Sequence, residues 1–139
     1  MNTLELKLCD MQGRLFELSL DRGYDSAAFI EAFMRSSVAE HLDQRYNRLQ
    51  WAGEAYLLAE LADEAALKMG GEQYARETMY WSGYLYRAWH FLMGESSRAI
   101  YAQAPANTMR QGYLMLHTMS VQLAVEHLKE MHRQKTKGK

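Results

Sequence analysis

Residues 4–23, LELKLCDMQGRLFELSLDRG, admit two readings, and the choice separates an all-helical chain from one that carries a sheet. Leu4, Leu8, Met11, Leu15 and Leu18 recur at alternating steps of four and three, which lines one stripe of a helix. The same stretch also alternates: Leu4, Leu6 and Leu8, then Phe16, Leu18 and Leu20, with Gln12-Gly13 between them where a turn would fall. The helical stripe runs unbroken through that turn. A helix ending at Gly23 is therefore the expectation, and a β-hairpin over residues 4–20 the alternative.

Helical period governs the rest of the chain. Asp25 or Ser26 can cap a short helix that buries Phe29, Ile30, Phe33 and Met34, and a second turn from Val38 to Leu42 continues it after Ser36-Ser37. Trp51, Ala55, Leu58, Ala62, Ala65 and Met69 step along one face until Gly70-Gly71 stops them. From Glu72 a third long helix runs to Met93, where Gly94 can supply the left-handed terminal position. It is apolar or aromatic nearly all round, as a central bundle helix or a partner-facing one must be. Ser96 caps a short helix through Ile100 and Tyr101, Pro105 separates the next, and Met109, Tyr113 and Leu116 mark a further helix. Val121, Ala124, Val125, Leu128 and Met131 mark the last. The expected architecture is a single compact all-α domain over residues 1–132, a bundle or array of five to seven helices, followed by a flexible basic tail over 133–139.

Composition narrows the function classes. The chain has 139 residues, 48% of them hydrophobic, enough for one core and too few for two full domains. Sixteen basic side chains against 17 acidic give a net charge of −1, without the positive field that drives non-specific nucleic-acid binding. One cysteine, Cys9, makes neither an internal disulfide nor a thiolate metal cluster, and a cytoplasmic location is expected. The opening residues carry Glu5, Lys7 and Asp10 where a signal peptide needs an apolar run. The longest stretch free of charged side chains, Gln111 to Val125, is broken by His117, Thr118 and Ser120 and falls short of a membrane span.

Motifs for chemistry are sparse. No His-Glu-x-x-His or Glu-x-x-His occurs, so no metal site is expected, and Gly70-Gly71 lacks the context of a phosphate loop; no cofactor is expected. Helical RNases of prokaryotic conflict systems share an arginine followed after four to six residues by a histidine, and Arg110 and His117 have that spacing, as do Arg35 and His41. His117 would act as general base and Arg110 would stabilise the phosphorane. Tyr113, Leu114, Met115 and Leu116 read as core residues crowding that pair, so a structural histidine is the expectation. The aromatic block from Tyr80 to Phe91 carries two further readings. Trp81, Leu85 and Trp89 read as core, while Tyr80, Tyr84, Arg87 and His90 are the types that dominate interface hot spots and are candidate partner-binding residues. A ligand pocket framed by Trp51, Tyr84, Arg87, Trp89 and His90 is a third possibility. Ten methionines suit either a core or a plastic contact surface.

Several strings together resemble a family of small uncharacterised bacterial proteins: Gly23-Tyr24-Asp25-Ser26 with Phe29-Ile30 and Phe33-Met34, Leu49-Gln50-Trp51-Ala52-Gly53-Glu54 with Tyr56, and the block from Tyr80 to His90. Gly94-Glu95-Ser96-Ser97 with Ile100-Tyr101, and Tyr113 with His117-Thr118, complete the match from about Gly23 to Leu128. Genes of that family commonly sit beside a short helical companion and a protein resembling an ADP-ribosyltransferase, a layout like a toxin–antitoxin or defence module. The resemblance implies an all-helical, non-enzymatic interaction protein, antitoxin-like or accessory, with a toxin-like neighbour as protein partner. It supplies no catalytic residues. A homodimer is compatible with the apolar helix from Glu72, and neither membrane nor nucleic acid is an expected partner.

Overall fold

The structure, a computed structural model, describes residues 1–138 and is all-helical. Eight α-helices follow one another: α1 Thr3–Asp21, α2 Ser26–Met34, α3 Ser37–Asp43, α4 Glu54–Glu64, α5 Arg76–Met93, α6 Ser97–Gln103, α7 Ala106–Leu116 and α8 Val121–Lys137. A 3-10 turn, Arg48–Trp51, lies between α3 and α4. The count among the described residues is slightly above the expected five to seven, because Ser36 caps α3 as a helix of its own through Ala39 N–H.

The N-terminal segment is one helix and the hairpin does not form. Asn2 and Glu5 make a reciprocal capping box that satisfies two orphan donors of the first turn. Gly13 is not a turn residue but a contact residue, since a Cβ there would lie 2.7 Å from the Tyr80 ring. Gly83 answers it from α5, where a Cβ would lie 2.6 Å from the Gln12 carbonyl and 2.8 Å from Phe16. Two glycines on facing helices let the α1 and α5 backbones approach closely, and this pair forms the bundle's main axis.

Helix α5 is central. Met79, Leu85, Tyr86 and Trp89 are buried, α6, α7 and α8 also pack on it, and Gly94 ends it in the left-handed conformation at φ 70°. Phe16, Phe29 and Phe33 meet edge-on and stacked beneath it at centroid separations of 5.3 to 6.2 Å. The face expected for α4 is corrected. The helix stops at Glu64 and buries Leu57, Leu58 and Leu61, leaving Trp51 and Met69 outside it and exposed. Residues 65–75 are instead stitched to the α1–α2 turn: Asp25 N donates to Lys68 O, Gly70 N to Gly23 O, and the Asp25 carboxylate accepts from Glu72 N. These bonds occupy backbone groups that a continued helix would need, so α5 begins at Arg76 rather than Glu72. The stretch expected as a tail continues α8 to Lys137, and Lys139 lies outside the described residues. Among the described residues no helix is long and apolar enough to cross a membrane.

Candidate functional site

Arg87, expected on a partner-facing surface, is in the interior at 1% exposure. Its Nη1 donates to Asp43 Oδ1 at 2.7 Å, its Nε to Gln12 Oε1 at 2.8 Å and its Nη2 to Ser97 Oγ at 3.2 Å. Asp43 in turn accepts from Ser97 N at 2.8 Å and Ser97 Oγ at 2.7 Å, while Gln12 Nε2 donates to Gly83 O. One cation thereby ties α1, α3, α5 and α6 together. A buried guanidinium is costly without a carboxylate and further acceptors, and here it has both. Burial pulls its pKa below the ordinary value while Asp43 pushes back, and arginine stays charged throughout.

That anchor fixes the end of α3, from which an irregular segment emerges. Gln50 Nε2 donates to Gln44 O at 2.8 Å, Asn47 Nδ2 to Gln44 Oε1 at 2.8 Å, and Asn47 Oδ1 accepts from Leu49 N at 2.9 Å. With Gln50 buried and the segment braced by these amides, its large side chains stand outward. Tyr46 is 80% exposed and Trp51 73%, joined by Tyr56 of α4 at 52%. Arg45 stands over the Tyr46 ring at 5.5 Å, and Arg48 is exposed beside it. At the Tyr46 end of this ridge lie two open clefts, one of about 670 Å³ lined by His41, Arg48, Tyr56, Glu60 and Asp63, the other of about 430 Å³ lined by Leu4, Leu8, Asp43, Gln50 and His90. Tyr46 lines both.

His90 enters the smaller cleft as an oriented ring. Its Nδ1 lies 2.7 Å from the Glu95 carbonyl and 3.6 Å from Asp43 Oδ1. A carbonyl only accepts, so Nδ1 carries the proton and Nε2 is the nitrogen left to meet the cleft. The pocket expected from Trp51, Tyr84, Arg87, Trp89 and His90 does not form, because Arg87 and Trp89 are interior while Trp51 stands in solvent. Trp89 instead donates to the Glu95 carboxylate at 3.3 Å beneath Lys129. Tyr80 and Tyr84 are half-buried neighbours with ring centroids 6.0 Å apart. Tyr80 donates to Asp10 at 2.6 Å, and burial with that carboxylate raises its phenol pKa.

Arg110 on α7 and His117, which caps the C-terminus of that helix, stand two helical turns apart, about 10 Å along the axis. Arg110 pairs with Glu72 at 3.0 Å and lies over Tyr74, while His117 stacks on Tyr113 at 4.3 Å and bonds its carbonyl. Both are occupied by their neighbours rather than aimed at one point. Among the described residues no group of three His, Cys, Asp or Glu side chains could hold a metal ion. Cys9 is no nucleophile: burial, partly offset by Arg87, pushes its thiol up to about 12.

Sequence reasoning missed the ridge. Trp51 was spaced to fit the stripe of the following helix, and only the composition of Arg45-Tyr46-Asn47-Arg48-Leu49-Gln50-Trp51, rich in hot-spot types, could have signalled it. The chain matches no family model, no curated protein and no solved structure.

Proposed function

We propose that the protein is a non-enzymatic interaction module that docks a protein partner on the ridge formed by Tyr46, Arg48, Trp51 and Tyr56, and that it serves as an antitoxin-like or accessory component for an ADP-ribosyltransferase-like partner in the cytoplasm. The observation that carries this is the outward display of two large aromatic side chains, Tyr46 and Trp51, on a segment held by its own side-chain amides and by the buried Arg87–Asp43 pair, with Tyr56 of α4 exposed as well. Tyr, Trp and Arg dominate interface hot spots, and a held segment loses little entropy on binding. The flanking clefts offer sockets for a partner's side chains. Glu60, Asp63 and Glu64 line the larger cleft beside Tyr46 and Arg48 and oppose a phosphate backbone, which favours a protein over a nucleic acid. The choice of an ADP-ribosyltransferase-like partner rests on the family resemblance alone.

Co-expression of the tagged protein with the products of its neighbouring genes tests the reading. A stoichiometric complex is expected that survives Tyr84→Ala and is lost with Trp51→Ala or Tyr46→Ala. Purification of the wild type alone, with RNA cleavage that His117→Ala abolishes, overturns it.

A further inference from the structure

We infer that two copies of this chain associate as an antiparallel, two-fold symmetric pair through the outer face of α8. The exposed stripe of that helix carries Leu123, Glu126, His127, Glu130, Arg133 and Lys137. Its charge changes sign along the axis, with the acids in the first half and the bases in the second. A two-fold axis crossing α8 between Met131 and His132 sets Glu126 opposite Lys137 of the second copy and Glu130 opposite its Arg133, each pair occurring twice. A parallel pairing sets acid on acid and base on base, so the pattern selects one orientation as well as one partner.

The surface has an apolar floor. Between α8 and the end of α5 runs an open groove of about 540 Å³ whose lining includes Met93 and Leu123, with Glu126, Glu130 and Arg133 at its margins. In the antiparallel register the methylene stems of the second copy's Arg133 and Lys137 cross that floor while their charged ends reach the acids. Lys129 does not compete, because its ammonium is held by Glu95 at 2.6 Å. In the single chain Glu126 accepts from Gln122, and Glu130 is bonded by Arg133 and Gln134 of its own helix. Association exchanges those bonds for intermolecular ones and strands no charge. Exposed pairs of this kind are individually weak and screened by salt, so the dimer is salt-sensitive. The face lies apart from the ridge, and the inference stands independently of the partner proposed above.

Sedimentation velocity of the full chain at low and high ionic strength is the test, with circular dichroism to verify folding. The wild type is expected to dimerise at low salt and dissociate at high salt. Glu126→Lys with Glu130→Lys, and separately Arg133→Glu with Lys137→Glu, should each weaken self-association at least tenfold, and mixing the two variants should restore a dimer. A monomer at low salt, or a dimer indifferent to both charge reversals, overturns the inference.

Discussion

Arg87 looked in the sequence like a surface contact because arginine is a type that dominates interface hot spots, yet the structure makes it the fixed point under the ridge. Its removal leaves the carboxylate of Asp43, 13% exposed, without its cation. Arg87→Ala is expected to cost about 3–5 kcal/mol of unfolding free energy by urea titration, the range for breaking one side of a buried pair. For that reason it cannot report on binding, whereas Trp51→Ala, exposed and free of such bonds, can. Cys9 gives a second expectation at this scale. With its thiol pushed up to about 12 and its side chain buried, it should stay unreactive toward a thiol reagent at pH 8 until the chain unfolds, when it reacts at once. The burial of Arg87 was not legible because its carboxylate partner lies 44 residues away, beyond any local pattern.

At the scale of elements, the ends of helices were the most legible features. Asp25, Ser96 and Gly94 take the capping roles their residue types predict, each settled by its own side chain or backbone within four residues. What periodicity could not show was where long-range bonds override it, as where the α1–α2 turn captures the backbone of residues 68–72 and ends α4 early. The α1–α5 contact yields a sharp test. Gly83→Ala should destabilise by about 1–3 kcal/mol despite the better helix propensity of alanine, since the new Cβ meets the Gln12 backbone. Glu95 joins α5, α6 and α8. Burial opposes its ionisation, but donation from Lys129, Gln103 and Trp89 outweighs this and holds its pKa below the usual glutamate range. A lowered folded pKa contributes stability that is present above the unfolded value of about 4.3 and lost as pH falls through the folded one. Glu95→Gln should therefore shrink the loss of stability across that acid window, measured by thermal melts from neutral pH downward.

For the whole molecule, Tyr86 and Trp89 of the aromatic block are spent on the core, and the most exposed aromatic side chains, Tyr46 and Trp51, are displayed by the short segment between α3 and α4. The all-helical class was readable from period and composition, which left α5 as either a central or a partner-facing helix. The ridge was not, because an exposed Trp51 and a buried one have the same spacing, and only the course of the chain after Asp43 tells them apart. Core, anchor and ridge form one chain of cause: the glycine-mediated approach of α1 and α5 brings Gln12 to Arg87, Arg87 holds Asp43, and Asp43 fixes the segment that carries Tyr46 and Trp51. The most direct test of this account is titration calorimetry of the purified chain against the ADP-ribosyltransferase-like partner proposed for it, wild type beside Trp51→Ala. The account predicts saturable binding that Trp51→Ala weakens by about 30-fold or more, the loss of a 2 kcal/mol hot spot, with no change in melting temperature. Binding of equal strength by the two proteins, or none by the wild type, would contradict it.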